Sequence, residues 1–460
     1  MADLAPVLSH LDSDADQAVE RLFELLRCQS ISTDPAYDAE CQKAAEWLAT
    51  DLNGIGFEAR VAETPGQPIV VAHDLTADGP HLMFYGHYDV QPVDPLNLWD
   101  SEPFDPAVRT RDDGSRYISG RGSSDDKGQL MTFVEACRAH KAVHGALPCK
   151  VTILLEGEEE SGGASLPPFL DANRDELTAD IALICDTGMW DARTPAITTM
   201  LRGNFAEEVT VKAASRDLHS GMYGSAAANP IHILTRILAE IHDGRGKVTI
   251  PGFYDGIEPL PNALKEQWEA LGFDHTEFLG DVGLSEPAGE TAYTALEQIW
   301  SRPTAEVNGI WGGYTGAGFK TVIPAEASAK ISFRLVGKQD PETIRAAFRE
   351  FVTERLPADC KAEFVGRPGG VASVMPVEDP AFEKARGALS DEWETEAAFI
   401  GEGGSIPVVG LFKEILDMDS LLIGFGLKDD CIHSPNEKYE LRSFTKGARS
   451  WARVLAALGA

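Results

Sequence analysis

Residues 152–163 read TILLEGEEESGG, an apolar run that passes directly into four glutamates. The run has the length and composition of a buried β-strand, so the glutamates begin where that strand should end. Two adjacent carboxylates at such a point repel each other by roughly 4 kcal/mol when they are partly buried. A neighbouring group of opposite charge would make this crowding tolerable.

Polar side chains also follow two other apolar runs and one glycine-rich turn of the N-terminal half. They are His87 and Asp89 after LMFYG, Asp125 and Asp126 within GRGSSDDKG, and Asp186 after IALIC. The runs alternate with helix-like segments such as 127–142, which predicts an α/β sheet with parallel pairing. Ligand sites in open α/β sheets form beyond the carboxyl ends of the strands. We therefore expect these side chains to converge on one site.

The character of the sequence changes near residue 198 and returns after residue 376. Residues 1–197 and 377–460 predict one α/β domain with a mixed, mostly parallel sheet and helices on both faces. Residues 198–376 predict an inserted α+β domain of ferredoxin-like type, because strand–helix–strand units occur twice and the strands partly alternate. Within it, residues 245–303 are rich in Pro and Gly and are expected to be irregular.

The composition excludes some classes of partner. Asp and Glu number 73 against 40 Lys and Arg, and the formal net charge is −33. Such a surface repels a phosphate backbone, so we expect no nucleic-acid partner. No apolar run approaches the ~18 residues of a membrane-spanning helix, so we expect no membrane partner.

The cysteines and the N-terminal residues predict the compartment. The seven cysteines form no CxxC pair, and an odd number in a long chain favours reduced thiols. The first residues, MADLAPVLSHLDSDADQ, lack the basic and apolar regions of a signal peptide. A cytoplasmic location is therefore predicted.

Carboxylates and neutral imidazoles together are the ligands of divalent cations such as zinc or manganese. The spacing of His87 and Asp89 suits a metal ligand and the carboxylate that orients it. Each motif alone has a simpler explanation: a structural histidine, a helix cap, or a solvated glutamate loop. We expect Glu156 and Glu158 to follow that last explanation. The motifs occurring together predict a metal site.

The sequence resembles the di-metal metallopeptidases that include carnosinase-like dipeptidases, aminoacylases and desuccinylases, and it is most similar to the dipeptidase branch. The stretches that carry the resemblance occur in the family's order and span nearly the whole chain. They are GHYDVQP (86–92), GRGSSDDKG (120–128), EGEEESGG (156–163), ICDTGMW (184–190), DLHSGMYG (217–224), KTVIP (320–324), SFRLV (332–336), GGSIP (403–407) and IHSPNEKYE (432–440).

The resemblance implies two divalent metal ions per subunit, with Zn²⁺ as the first candidate and Mn²⁺ as the second. It assigns His87 and Asp186 to one ion, Glu160 and His433 to the other, and Asp125 to both. It also implies a cis peptide bond between Asp125 and Asp126. Catalytic roles fall to Glu159 as the general base and to Asp89 beside the ligand histidine. Two dications and three ligand carboxylates then balance once a hydroxide bridges the metals.

Further roles implied by the resemblance lie in the inserted domain and in the GGSIP stretch. His219 would reach the active site of a partner subunit and stabilise the tetrahedral oxyanion, so the inserted domain would be both lid and dimer interface. Arg334 would bind the terminal carboxylate of the substrate through its planar guanidinium. Additional hydrogen bonds to the substrate are assigned to Gly404, Ser405, Asn308 and Thr321.

The predicted function is that of a metal-dependent exopeptidase which cleaves dipeptides or short peptides by attack of a metal-bridging hydroxide. An amidohydrolase that removes acyl groups from N-acyl amino acids would need the same metals and base. An inactive relative that only binds a ligand is disfavoured, because the base and the five ligands are present. A serine hydrolase is disfavoured as well, because no G-x-S-x-G stretch occurs.

Overall fold

The computed structural model describes residues 3–460. Its strands are β1 (Glu58–Ala62), β2 (Ile69–Asp74), β3 (His81–His87), β4 (Ala107–Thr110), β5 (Arg116–Ser119), β6 (Lys150–Glu156), β7 (Ile181–Ile184), β8 (Ala196–Leu201), β9 (Gly203–Lys212), β10 (Leu218–His219), β11 (Thr304–Gly312), β12 (Val322–Ile323), β13 (Glu326–Leu335), β14 (Lys361–Gly366), β15 (Ser373–Val374), β16 (Ala398–Glu402), β17 (Ser420–Leu422) and β18 (Lys438–Glu440). Its helices are α1 (Leu4–Ser13), α2 (Ala15–Leu26), α3 (Asp38–Gly54), α4 (Lys127–His144), α5 (Leu166–Ala172), α6 (Arg174–Leu177), α7 (Ser220–Tyr223), α8 (Pro230–Ala239), α9 (Asn262–Ala270), α10 (His275–Gly280), α11 (Ala295–Trp300), α12 (Pro341–Thr353), α13 (Pro380–Trp393), α14 (Pro407–Leu416) and α15 (Leu441–Leu458). Across these described residues, none of the helices is both long and apolar enough to cross a bilayer.

The described residues form two compact units. The first contains residues 3–199, 375–400 and 411–460, and the second contains residues 200–374 and 401–410. Residues 401–410 therefore belong to the second unit, although the sequence interpretation assigned them to the α/β domain. The reason is local, because Arg202 of the second unit holds the start of this segment: its backbone N–H donates to Gly404 O at 3.1 Å and its Nε donates to Gly403 O at 2.9 Å.

The first unit contains a large mixed sheet in the order β1–β2–β6–β3–β7–β17–β8, with β16 beside β8. Strands β6, β3, β7 and β17 pair in parallel, whereas β1, β2 and β8 pair antiparallel with their neighbours. The predicted α/β class with a mixed sheet is confirmed, and the strands at the centre of the sheet pair in parallel. The central strands are continuous apolar runs because both of their faces are buried.

Aromatic side chains hold β3, α4 and α15 together in the core of the first unit. Phe84 of β3 stacks on Phe133 of α4 with ring centroids 3.9 Å apart. Trp451 of α15 packs edge-on against both rings at 5.9 and 5.4 Å. All three side chains are fully buried, and losing one such ring costs roughly 3–5 kcal/mol. This packing positions the carboxyl end of β3 next to the start of α4.

The second unit contains a four-stranded antiparallel sheet in the order β11–β13–β9–β14. With α8 after β9 and α12 after β13, the chain order is βαββαβ, the ferredoxin-like arrangement that the sequence predicted. Its core includes Phe205, Phe333 and Phe348. The expectation that residues 245–303 are irregular was wrong in part, because they include α9, α10 and α11. Trp268 of α9 and Trp300 of α11 pack edge-on at 4.9 Å and are buried, which joins these two helices.

Candidate metal centre

Three adjacent parallel strands end at one edge of the large sheet and carry the polar residues there. Strand β3 ends at His87, β6 ends at Glu156, and Asp186 follows β7 by two residues. Since β6, β3 and β7 are neighbours in register, these ends lie side by side. The glycine-rich turn before α4 brings Asp125 to the same edge. The predicted convergence of polar side chains is therefore present in the structure.

Asp125 lies between two histidines, with one carboxylate oxygen directed at each. His87 Nε2 lies 3.1 Å from Asp125 Oδ1, and His433 Nε2 lies 2.9 Å from Asp125 Oδ2. The peptide bond between Asp125 and Asp126 is cis, as the resemblance implied. A single carboxylate is thus shared by two groups of side chains.

Each histidine belongs to a triad that also contains a second carboxylate. His87 Nε2 lies 3.9 Å from Asp186 Oδ2, and His433 Nε2 lies 3.3 Å from Glu160 Oε2. In each triad, one donor atom from every residue lies within 4.8 Å of the other two. All five predicted ligands therefore come together as two triads that share Asp125.

The charges of this cluster fit a pair of cations. Burial and repulsion by Asp125 raise the pKa of Asp186 to about 7. Hydrogen bonds to Asp125 and Glu160 raise the pKa of His433 to about 10, so protons would have to neutralise the cluster. Glu160 Oε1 is buried and makes no hydrogen bond among the described residues. Three carboxylates and two imidazoles are a donor set suited to Zn²⁺ or Mn²⁺, whose charge would replace those protons.

Asp89 organises the two glutamates of the opening stretch. It is fully buried, and its Oδ1 and Oδ2 accept hydrogen bonds from the backbone N–H groups of Glu159 at 3.2 Å and Glu160 at 3.0 Å. Its Oδ1 also lies 3.4 Å from His87 Nδ1, and the Asp89 carbonyl lies 3.1 Å from that nitrogen. Asp89 thus contacts one predicted ligand directly and places the backbone of another.

Glu159, the predicted base, sits where its charge is costly. Burial raises the pKa of the Glu159 carboxyl, and the nearby carboxylates of Glu160 and Asp89 add to this, although His87 opposes it. A carboxyl with a raised pKa accepts and returns protons closer to neutral pH than an exposed one does. The environment is therefore suited to proton transfer.

The expectation that Glu156 and Glu158 form a solvated loop was wrong. Glu156 is buried at the end of β6, where its Oε2 accepts a hydrogen bond from the Tyr85 hydroxyl at 2.6 Å. Burial raises the pKa of Glu156 to about 8. Glu158 is half-buried and accepts from the Ser165 N–H at 3.0 Å, which fixes the loop after β6. Glu156 and Glu158 therefore each have a separate hydrogen-bond partner within the fold.

Three of the predicted substrate-site residues lie on exposed parts of the second unit. His219 ends β10, and its Nδ1 accepts a hydrogen bond from the Gly221 N–H at 3.0 Å. Thr321 lies next to it, because the Thr321 carbonyl accepts from the Ser220 N–H at 3.0 Å. Asn308 lies on β11 at a bulge in its pairing with β13. His219 and Thr321 are thus brought together, on a different strand pair from Asn308.

The other three predicted substrate-site residues are Arg334, Gly404 and Ser405, and all of them lie in the second unit. Ser405 Oγ accepts hydrogen bonds from Arg334 Nη1 and Asn204 Nδ2, both at 3.2 Å, and donates to the Arg202 carbonyl. Gly404 accepts from the Arg202 N–H. Burial, with Arg334 nearby, lowers the pKa of Arg202 to about 10. The Glu402 and Glu306 carboxylates act in the opposite direction, so both signs of charge surround Arg202.

A model of the family described as Peptidase family M20/M25/M40 matches residues 83–457. The chain belongs to this family. It is 29% identical to the Cys-Gly metallodipeptidase of Candida albicans, over 97% of this chain and 96% of that one. It is also 29% identical to the human Beta-Ala-His dipeptidase, over 98% of this chain and 91% of that one. The solved structure of the M20 family metallo-carboxypeptidase Sso-CP2 from Sulfolobus solfataricus has a TM-score of 0.79 at 28% identity, covering 96% of this chain and 99% of that one.

These similarities confirm the predicted family, including its dipeptidase branch, and with it the prediction of a peptide-hydrolysing enzyme. This chain aligns with nearly the full length of both dipeptidases. Membership of a family with metallodipeptidases also agrees with the donor set at the sheet edge.

Sequence reasoning missed two side chains that touch the centre of this M20 peptidase. Gln91 Nε2 donates to Glu160 Oε2 at 2.6 Å, and its place two residues after Asp89 was the available signal. Asp126 is buried and its Oδ2 accepts from the His87 N–H at 3.1 Å. The sequence analysis expected Asp126 among the converging side chains but gave it no role in the site, because no local pattern shows that its carboxylate meets the backbone of β3.

Proposed function

We propose that this M20 peptidase is a dipeptidase that binds two divalent cations at the sheet edge and hydrolyses dipeptides. The observation that carries the proposal is the position of Asp125, whose two carboxylate oxygens face His87 and His433 separately. A carboxylate shared in this way is suited to hold two cations close together. The names of the relatives support dipeptides as the substrate class.

His87 and Asp186 would hold one cation, Glu160 and His433 the other, and Asp125 both. Zn²⁺ is the first candidate and Mn²⁺ the second, because mixed oxygen and nitrogen ligands bind either ion. When bound, the cations would polarise the scissile carbonyl and lower the pKa of a water molecule between them.

Glu159 would take the proton from the attacking water and deliver it to the leaving amine. Its buried position, which raises its pKa, supports this role. Asp89 would keep Glu159 in place by accepting a hydrogen bond from the Glu159 backbone N–H. Its contact with His87 Nδ1 would keep that ring in the orientation that presents Nε2 to the centre. General acid–base transfer of this kind contributes roughly 10²–10⁴-fold to a rate.

The substrate would be held by residues of the second unit. Arg334 would pair with the terminal carboxylate, and Ser405, with Gly404, would add hydrogen bonds, in line with the contact between Arg334 and Ser405. His219, supplied by a second copy of the chain, would donate to the oxyanion, which is worth roughly 3 kcal/mol. Asn308 and Thr321 would line the same substrate site.

A homodimer formed through the second unit is part of the proposal. Strand β11 lies at the edge of its sheet and exposes Val307, Ile310 and Trp311, with exposed fractions of 44%, 52% and 44%. An apolar edge strand is a template for pairing with another chain, and a second copy offers the same strand. A monomer at micromolar concentration in sedimentation experiments would contradict the dimer. A cytoplasmic location also remains a proposal, resting on the odd number of cysteines.

The test is turnover of two substrate panels by the enzyme reconstituted with Zn²⁺ or Mn²⁺. The dipeptide panel contains Cys-Gly and β-Ala-His, and the second panel contains the corresponding N-acyl amino acids. We expect amino acids to be released from dipeptides, and no release after treatment with a chelator. Preferential cleavage of the acyl panel would favour the deacylase function instead. Turnover that is independent of metal would contradict the proposal as a whole.

A further inference from the structure

The Glu437 carboxylate is fully buried and is surrounded by donors from a single loop. Its Oε2 accepts from Arg121 Nη1 at 2.7 Å and from the Gly122 N–H at 2.9 Å. Its Oε1 accepts from the N–H groups of Ser124 at 2.9 Å and Asp125 at 3.1 Å. Four hydrogen bonds therefore connect the Glu437 side chain to the glycine-rich turn, and the last of them comes from the backbone of Asp125, the residue that both triads share.

Glu437 belongs to the loop that carries His433, so its hydrogen bonds join two ligand-bearing loops. Arg121 strengthens the connection, because its Nη2 donates to the Pro92 carbonyl at 3.1 Å and to the Ser434 carbonyl at 3.4 Å. The Gly120 N–H adds a bond to the Glu437 carbonyl at 3.1 Å. The short distance between Asp125 and His433 thus depends on how these loops are held.

We propose that Glu437 is a positioning residue that sets the distance between Asp125 and His433, and with it the affinity of the site for its second cation. It touches neither the reacting atoms nor the side-chain oxygens of Asp125, and it acts only through the backbone of that residue. This inference rests on the proposed function, because it concerns the same pair of cations.

A second connection between the loops makes a folded variant of Glu437 attainable. Asp430, also fully buried, accepts from Ser124 Oγ at 2.8 Å and from Lys438 Nζ at 2.7 Å. With this connection intact, loss of the Glu437 hydrogen bonds loosens the spacing of the loops without separating them. The expected defect is therefore weaker metal binding rather than unfolding.

The experiment measures metal stoichiometry and affinity by chelator competition in the wild type, Glu437→Gln and Glu440→Gln. The Gln side chain keeps the size of Glu437 but places an N–H₂ group against backbone N–H donors, so we expect the second cation to bind about 10- to 100-fold more weakly. Excess metal should restore turnover. Glu440 is the matched control, because its carboxylate pairs with Arg111 and Lys438 and bonds to neither Asp125 nor His433.

The outcomes separate the two proposals. If the wild type binds two cations and the Glu437→Gln variant binds the second cation with the same affinity as the wild type, the positioning role alone would be overturned. A wild type that binds no cation would overturn the proposed function and this inference together. If Glu437→Gln does not fold, Glu437→Asp keeps the charge but is one methylene too short to reach all four donors. Unchanged affinity in that variant, or failure of both variants to fold, would overturn the positioning role.

Discussion

The Asp89 carboxylate accepts a hydrogen bond from the Glu160 backbone N–H at 3.0 Å, across 71 residues of sequence. Through the neighbouring N–H it also holds Glu159, and it lies beside the ring of His87. One buried side chain thus determines where the proposed base, one ligand of the second triad and one ligand of the first are located. The hydrogen bonds to Asp89 therefore fix the backbone that carries the adjacent carboxylates of Glu159 and Glu160.

Replacing Asp89 with Asn should weaken the whole centre. One amide N–H₂ would face a backbone N–H donor, so Glu159 or Glu160 would lose its partner. We expect metal affinity to fall by about 10- to 100-fold and kcat/KM to fall with it, measured by chelator competition and steady-state kinetics. Asp112→Asn, in an exposed turn, serves as control. Wild-type metal affinity in the Asp89 variant would show that the backbone of Glu160 needs no such support.

Replacing Glu159 with Gln should separate binding from chemistry. Glu159 is assigned to no cation, so two metal ions per subunit should remain by elemental analysis. The proton acceptor is lost, so kcat should fall by roughly 10²–10⁴-fold. Glu158→Gln is the matched control, because Gln can still accept the Ser165 N–H and turnover should be retained. A normal rate in the Glu159 variant would remove it from the base role.

Mixing two inactive chains tests whether His219 acts in a second subunit. His219→Ala keeps its own Glu159, and Glu159→Gln keeps its own His219, so each hybrid dimer would contain one complete site. Random pairing makes half of the dimers hybrids, and recovery to about a quarter of the wild-type rate is expected for a twofold dimer. The separate homodimers are the controls. If co-refolded or co-expressed mixtures stay as inactive as the parents, the shared-site proposal fails.

Glu392 should stabilise the first unit through three cations of α15. Burial alone would raise the pKa of Glu392, but hydrogen bonds from Arg449 and Arg453, with Lys446 nearby, hold it below its usual value. A carboxyl whose pKa is lower in the folded state than in the unfolded state stabilises the folded protein at pH values above its unfolded-state pKa of about 4.3. That contribution is lost as the pH falls through the folded-state pKa.

We therefore expect Glu392→Gln to lower the free energy of unfolding by about 2 kcal/mol at pH 7, because it leaves partly buried cations without a partner. The difference from the wild type should narrow below about pH 4, as measured by urea unfolding at several pH values. Asp391→Asn, an exposed neighbour on the same helix, should change little. A constant difference down to pH 3 would contradict the assignment to this carboxyl.

Local patterns predicted the elements well where burial alone decides them. The run at 151–155 became β6 and the helix-like segment at 127–142 became α4, each within two residues at either end. The same reasoning failed for Glu156, whose burial comes from Tyr85 on the neighbouring strand. It also failed for α9 in the Pro- and Gly-rich stretch, because its buried Trp268 packs against Trp300, a contact that periodicity does not report.

Within the candidate centre, the residue types could be selected from the sequence, but their arrangement could not. Histidine and carboxylates after successive apolar runs indicate a cation site, since such residues are costly at a buried sheet edge without a counter-charge. The division of the two Asp125 oxygens between His87 and His433 depends on loops about 300 residues apart. The roles of Asp126 and Glu437 depend on the same long-range packing.

The amino-acid sequence by itself indicated the buried central strands β3, β6 and β7, roughly where they end, and which ligand chemistry collects beyond those ends. Apolar periodicity and strand-end polarity are local properties, and they are present in the chain before it folds. Only the tertiary structure decided how the ligands are shared and which carboxylates support others. Hydrogen bonds such as those from Glu160 to Asp89 and from Asp125 to Glu437 form only when distant loops pack together and exclude water.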